Sequence, residues 1–101
     1  MGRNADITQY TKEEKEFWDR LCSCEGQTFM THCGLEFTFS VHGNELFFDR
    51  KAKSITRATI MQAYRIAMKL VQSGVAIIGP KKIGVFGASY LLPIFRQLAI
   101  V

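Results

Sequence analysis

An alternating strand followed by a two-residue turn constrains the fold of this chain most. Apolar and polar side chains alternate here, so one face of the strand is apolar: Leu35, Phe37, Phe39 and Val41. Gly43-Asn44 follows, a dipeptide typical of a tight hairpin turn. That turn would place Val41 opposite Leu46, and Phe39 opposite Phe48, all on the apolar face. The pattern predicts an antiparallel hairpin whose apolar face must be covered by other parts of the chain.

Two amphipathic helices are predicted on either side of this hairpin. Thr11 and Glu14 have the spacing of a capping box, which predicts a helix from about Lys12 to Cys22. Its apolar face would carry Phe17, Trp18 and Leu21. A second helix would be capped by Ser54 or Thr56, run to about Gln72 and stop at Gly74.

The remaining segments complete an α+β prediction. Residues 28–33 are β-prone but short, and residues 75–78 are a candidate short strand. A last helix is expected at about residues 89–98, with Pro93 near its first turn or at a kink. We therefore expect an N-terminal helix, a three-stranded antiparallel sheet with the Gly-Asn hairpin, and two C-terminal helices packed on one face. Residues 1–10 would be a loose lead-in, and residues 11–101 a single domain.

Composition and charge limit the classes of partner. Of the 101 residues, 48% are hydrophobic, so the chain can bury a core, and the net charge of +4 favours an anionic partner. The sequence contains no run of 18 apolar residues and no apolar signal segment, so we expect no membrane partner. The three cysteines are an odd number, which indicates free thiols in a reducing, cytoplasmic location. Self-association is left open.

The predicted start of the second helix is unusually basic. A helix N-terminus carries a partial positive charge, so cations are unfavourable there unless an anion is bound. Four cations and two hydroxyls are nevertheless predicted at this start: Arg50, Lys51, Lys53, Arg57, Ser54 and Thr56. Arg65 would continue the polar stripe along the helix. These residue types are suited to phosphates, although a solvated charged face with ordinary caps would give the same pattern.

A second basic segment precedes the last helix. Lys81 and Lys82 stand before two glycines, Gly84 and Gly87, whose backbone permits close approach of a ligand. The spacing of these glycines matches the clamp of KH RNA-binding domains, but the residues between them are apolar. The segment is also similar to the strand, turn and helix of a dinucleotide-binding site, but it lacks the full glycine pattern of such a site. The alternative is a glycine-rich turn that packs Phe86 and Tyr90 inward.

Residues that could ligate a metal give weaker patterns. A zinc set is poorly spaced, because one residue separates the first two cysteines and the last two members are adjacent: Cys22, Cys24, His32 and Cys33. We therefore predict no metal and no cofactor. Glu36 with the Asp49-Arg50-Lys51 segment is faintly similar to nuclease carboxylate-lysine sites, so enzymatic activity stays open but disfavoured.

Two groups of short phrases carry a resemblance: Lys53-Ser54-Ile55-Thr56-Arg57 with Ala63-Tyr64, and Gly79-Pro80-Lys81 with Phe86-Gly87-Ala88-Ser89-Tyr90-Leu91. They resemble segments of a group of short, uncharacterised bacterial proteins. The similarity covers most of the chain after Thr11 and implies no activity. It suggests a bacterial or mobile-element origin.

Three functions follow as hypotheses, in order of preference. The first is a small binding module that grips nucleic-acid phosphates through the basic helix start, with Lys81 and Lys82 as a second contact. The second is a protein-interaction or inhibitor module, acting for example on a nucleoprotein complex, that docks through an edge strand or exposed phenylalanines. The third is a metal-dependent nuclease.

Overall fold

The computed structural model describes residues 10–31, 33–50 and 54–101. These ranges contain three α-helices, a two-stranded sheet, a three-stranded sheet and one turn of 3-10 helix. In chain order the elements are α1 (Lys12–Cys22), β1 (Phe29–Met30), β2 (Glu36–Phe37), β3 (Phe39–His42), β4 (Glu45–Phe48), β5 (Ile55–Thr56), α2 (Arg57–Gln72), the 3-10 helix (Pro80–Lys82) and α3 (Ala88–Gln97). The predicted α+β class is confirmed.

The hairpin forms in the predicted register. Phe39 pairs with Phe48 and Val41 with Leu46 across β3 and β4. The side chains of Phe39, Leu46 and Phe48 are buried, so the apolar face is covered as expected. The sequence determines this register because a slip by one residue would turn the apolar side chains to solvent.

The third strand of this sheet is β5, which pairs antiparallel with β4. Residues 28–33 instead contribute β1, which pairs with β2 in a separate sheet. The expected continuous strand over residues 35–41 is broken at Thr38. There the Thr38 amide donates to Asp49 Oδ1 at 3.0 Å, and the Asp49 amide donates to the Thr38 carbonyl at 3.2 Å. The chain beyond β4 therefore holds the break in place.

Both predicted helix caps are present. In α1 the Glu14 amide donates to Thr11 Oγ1 and the Thr11 amide donates to Glu14 Oε1, both at 3.1 Å, which completes the capping box. In α2 the N-cap is Thr56, whose Oγ1 accepts from the Thr59 amide at 3.3 Å. Gly74 follows the end of α2 with a φ of +77°, as a helix stop requires.

The C-terminal region differs from the expectation for residues 75–78, and of the two alternatives for Pro93 the position near the first turn is wrong. Residues 75–78 form no strand and lead instead into the 3-10 helix. Pro93 lies inside α3 as its sixth residue, beyond the first turn. Its ring nitrogen has no hydrogen to donate to the carbonyl four residues earlier, so the helix loses one internal hydrogen bond there.

The core is formed where the helices meet the apolar face of the hairpin. The Phe17 ring of α1 stacks on Tyr64 of α2, with ring centroids 4.2 Å apart, and meets Phe95 of α3 edge-on at 5.5 Å. Tyr90 of α3 packs against Phe48 of the sheet at 4.9 Å. Aromatic contacts therefore join all three described helices and the three-stranded sheet.

A close contact between β5 and the start of α3 fixes the end of the molecule where the two C-terminal helices begin. Gly87 has a φ of +79°, and a Cβ placed on it would lie 2.1 Å from Ile55 Cδ1. Only glycine permits this approach.

Within the described ranges, every helix falls short of the length and apolar character needed to cross a bilayer.

Candidate nucleic-acid interface

Arg57, the first residue of α2, is held between two aromatic rings. Its guanidinium carbon lies 4.6 Å from the ring centroid of Tyr10 and 4.8 Å from that of Trp18. Its Nη1 donates to Asn44 Oδ1 at 3.4 Å, and the described part of the chain gives it no carboxylate partner. The rings restrict the side chain while leaving its charge unpaired there, which is a favourable state for meeting an anion.

The backbone amides at the start of α2 are less available than the sequence suggested. The Arg57 amide donates to the Asn44 carbonyl at 2.7 Å, and the Thr59 amide donates to Thr56 Oγ1. Two of the first three amides of the helix therefore have partners within the protein. The hairpin turn lies against the helix start, so any anion here would be bound mainly by side chains.

Arg65 is neutralised by a carboxylate. Its Nε lies 2.6 Å from Glu14 Oε2 and its Nη2 lies 3.1 Å from Glu14 Oε1, a two-point ion pair between α2 and α1. The hydrogen bond from Arg65 lowers the pKa of Glu14 against the opposing effect of burial, and the same bond raises the pKa of Arg65. Arg65, which was predicted to extend the polar stripe, therefore links α2 to α1 and has its charge paired with Glu14.

Arg50 does not crowd the start of α2. Thr56 pairs with Glu45 at one end of β4, whereas Arg50 follows the other end, roughly 16 Å away along an extended chain. Its Nε donates to the Glu36 carbonyl. The sequence placed Arg50 and Arg57 together because it gave no sign of β5, which carries the chain back along the sheet before α2 begins.

The two hydroxyls of the first basic segment, Ser54 and Thr56, both make hydrogen bonds within the protein. The Ser54 hydroxyl donates to Glu45 Oε1, so it is engaged within the sheet region. Thr56 caps α2 and also donates its hydroxyl to Thr59 Oγ1 at 3.2 Å. Lys51 and Lys53 lie outside the described residues.

The second basic segment is exposed. Lys81 and Lys82 lie on the 3-10 helix with their side chains open to solvent, while the next residue, Ile83, is buried and anchors the turn. Tyr90 packs inward against the sheet, as one alternative predicted, but Phe86 is 51% exposed. The prediction that Phe86 packs inward was therefore wrong.

The two helix starts lie close together. Gly87, which precedes α3, touches Ile55, and Ile55 is two residues before the first residue of α2. The positive ends of two helix dipoles therefore converge on one region of the molecule. The first residues of the two helices, Arg57 and Ala88, are 31 positions apart in the chain, and the sequence alone does not relate them in space.

Charge is divided between the two halves of the chain, a signal that motif reasoning missed. All nine carboxylate side chains occur at or before Asp49, whereas residues 50–101 contain nine lysines and arginines and no carboxylate side chain. Tyr10 and Trp18 were also missed as partners of Arg57. Nothing in their spacing reveals the stack, because it forms only when α1 packs beside the start of α2.

The residues considered for metal chemistry form no cluster. Among the described residues, no group of three histidine, cysteine or acidic side chains is arranged to hold a metal ion. Cys24 is buried, Cys22 is half-buried and Cys33 is exposed, and all are free thiols. His32 lies outside the described residues. Burial is the main cause that raises the pKa of Cys22, which disfavours the reactive thiolate.

A groove of about 450 Å³ lies on the sheet, and no residue of α2, the 3-10 helix or α3 lines it. Both charged residues that line it are carboxylates, Glu25 and Asp49, so its charge is unsuited to phosphate. The outer edge of β3 beside it is partly occupied, because the Val41 amide donates to Glu25 Oε2 at 2.8 Å and the Phe39 carbonyl accepts from the Gly26 amide at 3.1 Å. These contacts compete with the addition of a partner strand there.

No protein-family model, curated protein or solved structure matches this chain.

Proposed function

We propose that this protein is a small basic binding module that contacts nucleic-acid phosphates beside the starts of α2 and α3. The observation that carries the proposal is Arg57, whose guanidinium is held by Tyr10 and Trp18 with no carboxylate partner in the described residues. A restrained, unpaired arginine loses little side-chain freedom when it binds a phosphate, and its planar group can donate two hydrogen bonds to one.

The surrounding charges favour the same partner. Lys81 and Lys82 are exposed on the segment that leads to α3, and the second half of the chain has no carboxylate side chain to oppose them. Arg57, Lys81 and Lys82 would make the principal contacts. Lys51 and Lys53 would extend the surface, and Ser54 and Thr56 would shape it, whereas Arg50 lies at the other end of β4. Arg65 would act indirectly, by holding α2 against α1.

The test is the affinity for labelled nucleic acid at several salt concentrations, measured with Arg57→Glu and Arg57→Gln. We expect each substitution to weaken binding by roughly 10- to 100-fold, the loss of a charge-assisted contact, with Arg57→Glu the weaker binder. Lys15→Glu is the matched control, since Lys15 is an exposed cation on α1. Equal losses in the Arg57 and Lys15 variants, or binding that ignores salt, would contradict the proposal.

A protein-interaction module is the second candidate, supported by exposed aliphatic side chains at the end of α2. Ile78 is 73% exposed, and Val71 and Val75 are 43% and 36% exposed. Such neighbouring apolar side chains are typical of contact surfaces between proteins. Gel filtration and affinity capture after nuclease treatment, with the wild type beside Ile78→Ser, test this candidate. A partner retained equally by both proteins would not use this surface.

The proposed location is the reducing cytoplasm, and the free thiols of the described cysteines support it. Thiol labelling of the protein in intact cells tests this location. Labelling of the exposed Cys33 without reductant is expected, and its recovery as a disulfide would contradict the proposal.

A further inference from the structure

Residues 75–78 form an apolar segment that has the side chains of a β-strand and no strand beside it. Val75, Ile77 and Ile78 are β-branched, which favours an extended backbone, and the next residue, Gly79, is extended with a φ of −163°. The two sheets of the described ranges nevertheless leave this segment unpaired. Its backbone could therefore still take part in a sheet.

The hydrogen bonds of this segment alternate along the chain. The Val75 amide donates to a carbonyl in the last turn of α2 at 2.9 Å, and the Ile77 carbonyl accepts from Arg96 Nη2 at 3.3 Å. The amides and carbonyls of Ala76 and Ile78 have no partner among the described residues. Successive residues of an extended chain direct these groups to opposite edges. The segment therefore has an inner edge that contacts the protein and an outer edge with two donors and two acceptors.

The side chains follow the same alternation. Ile77 is half-buried against the core, whereas Ala76 and Ile78 are exposed, Ile78 to 73%. Val71, in the last turn of α2, is exposed as well. Residues 70–80 include no charged side chain. The outer edge is therefore flanked by apolar side chains and belongs to an uncharged stretch of the sequence.

We infer that this protein dimerises by pairing the outer edges of two copies of residues 75–78 as antiparallel strands. The inference does not rest on the phosphate contacts, and it gives the protein-interaction candidate a partner, a second copy of the chain, and a mode of binding. A two-fold axis beside Ile77 places Ala76 of each copy opposite Ile78 of the other, where the two exchange amide-to-carbonyl hydrogen bonds. A small side chain then lies opposite a large one.

Charge favours a second copy as the occupant of this edge. Although the whole chain carries a net charge of +4, residues 70–80 are uncharged, so two copies can meet there without opposing like charges. Arg96 contacts the inner edge, so the two paired strands would lie between its two copies. The segment is short beside the roughly 20–30 residues that each partner contributes to a standard interface, so we expect a dimer that dissociates on dilution.

Sedimentation velocity over a range of protein concentrations tests the dimer, and amide hydrogen exchange measured by NMR tests its register. We expect the wild type to change from monomer to dimer as its concentration rises, with the amides of Ala76 and Ile78 becoming protected and that of Ile77 unchanged. Ala76→Pro, which removes one donor from each copy, should raise the dissociation constant at least about 10-fold. Ala76→Ser is its matched control, because it keeps the amide.

Ile78→Ser should also weaken the dimer, whereas Met30→Ser, at an exposed apolar residue on β1, should not. A wild type that stays monomeric up to about 1 mM, or a dimer in which the amides of Ala76 and Ile78 stay unprotected, would overturn the inference. Either result leaves the nucleic-acid proposal standing, since Arg57→Glu tests that separately. If circular dichroism shows that Ala76→Pro is unfolded, Ile78→Glu decides, because it places a carboxylate at the pairing edge of each copy. An Ile78→Glu dimer as stable as the wild type would overturn the inference.

Discussion

Gly87 is the residue at which a single added carbon would disturb the fold most directly. Its φ of +79° lies in the left-handed region, and its Cα faces the side chain of Ile55. Gly74 has a similar φ of +77°, but a Cβ added there meets no atom within 4 Å. Alanine substitutions at the two glycines therefore distinguish two sources of destabilisation: backbone strain alone at Gly74, and backbone strain with steric overlap at Gly87.

Gly74→Ala is expected to lower the free energy of unfolding by about 1 kcal/mol, from backbone strain alone. Gly87→Ala should lower it by about 2–4 kcal/mol, because the added methyl group also displaces Ile55. Urea denaturation measures both. Ile55→Val removes the nearest atom and should recover part of the loss in the Gly87→Ala background. Equal costs at the two glycines would show that the contact with Ile55 is easily relieved.

The pairing of α1 with α2 depends on one polar contact beside the aromatic core. Glu14 is 7% exposed, completes the capping box of α1 and accepts two hydrogen bonds from Arg65 of α2. Its side chain therefore stabilises one helix end and the interface between two helices. Since the Arg65 side chain is 52% exposed, solvent weakens the ion pair and its contribution is moderate.

Glu14→Gln is expected to cost about 1–2 kcal/mol at neutral pH and to remove part of the acid sensitivity of the fold. In the wild type, the pKa of Glu14 is lowered from its ordinary value of 4.5 by the hydrogen bond from Arg65. A carboxylate whose pKa is lowered by folding stabilises the protein above its unfolded pKa. That stability is lost as the pH falls through the lowered folded pKa. Urea denaturation across pH, with exposed Glu16→Gln as control, measures the difference. Parallel pH curves for Glu14→Gln and the wild type would contradict the role of Glu14.

Secondary elements that carry their own signals were predictable, and elements that depend on a neighbour were not. The hairpin register follows from the alternation before Gly43-Asn44, and the α1 cap follows from Thr11 and Glu14. By contrast, β5 has only two residues, Ile55–Thr56, and forms because β4 is already present beside it. A strand this short has no periodicity for a sequence pattern to detect.

At the scale of the whole molecule, charge is separated along the chain and partly cancelled in space. Glu14 and Glu45, from the acidic half, engage Arg65 and Ser54 from the basic half. Arg57, Lys81 and Lys82 have no such carboxylate partner among the described residues. The fold therefore determines which of the described cations have a carboxylate partner and which do not.

Replacement of Lys81 and Lys82 by glutamine should reduce the dependence of binding on salt. Each phosphate contact contributes about 0.7 on a single strand, or about 0.9 on a duplex, to the slope of the logarithm of the binding constant against the logarithm of salt concentration. If the proposed contacts form, the double variant should therefore lower the slope by about 1.4 to 1.8. The matched control is Lys12→Gln with Lys15→Gln, two exposed lysines on α1. A slope that changes equally in both double variants would indicate that only net charge matters.

The sequence by itself determined the α+β class, the hairpin register and the capped starts of α1 and α2, because alternation, turn residues and caps act over a few neighbouring positions. It also contained the basic character of the second half. Only the tertiary structure decided which cations of the described residues have a carboxylate partner, how far Phe86 is exposed and that the starts of α2 and α3 meet. These depend on contacts between residues far apart in the chain, Glu14 with Arg65 and Ile55 with Gly87, for which no local pattern exists.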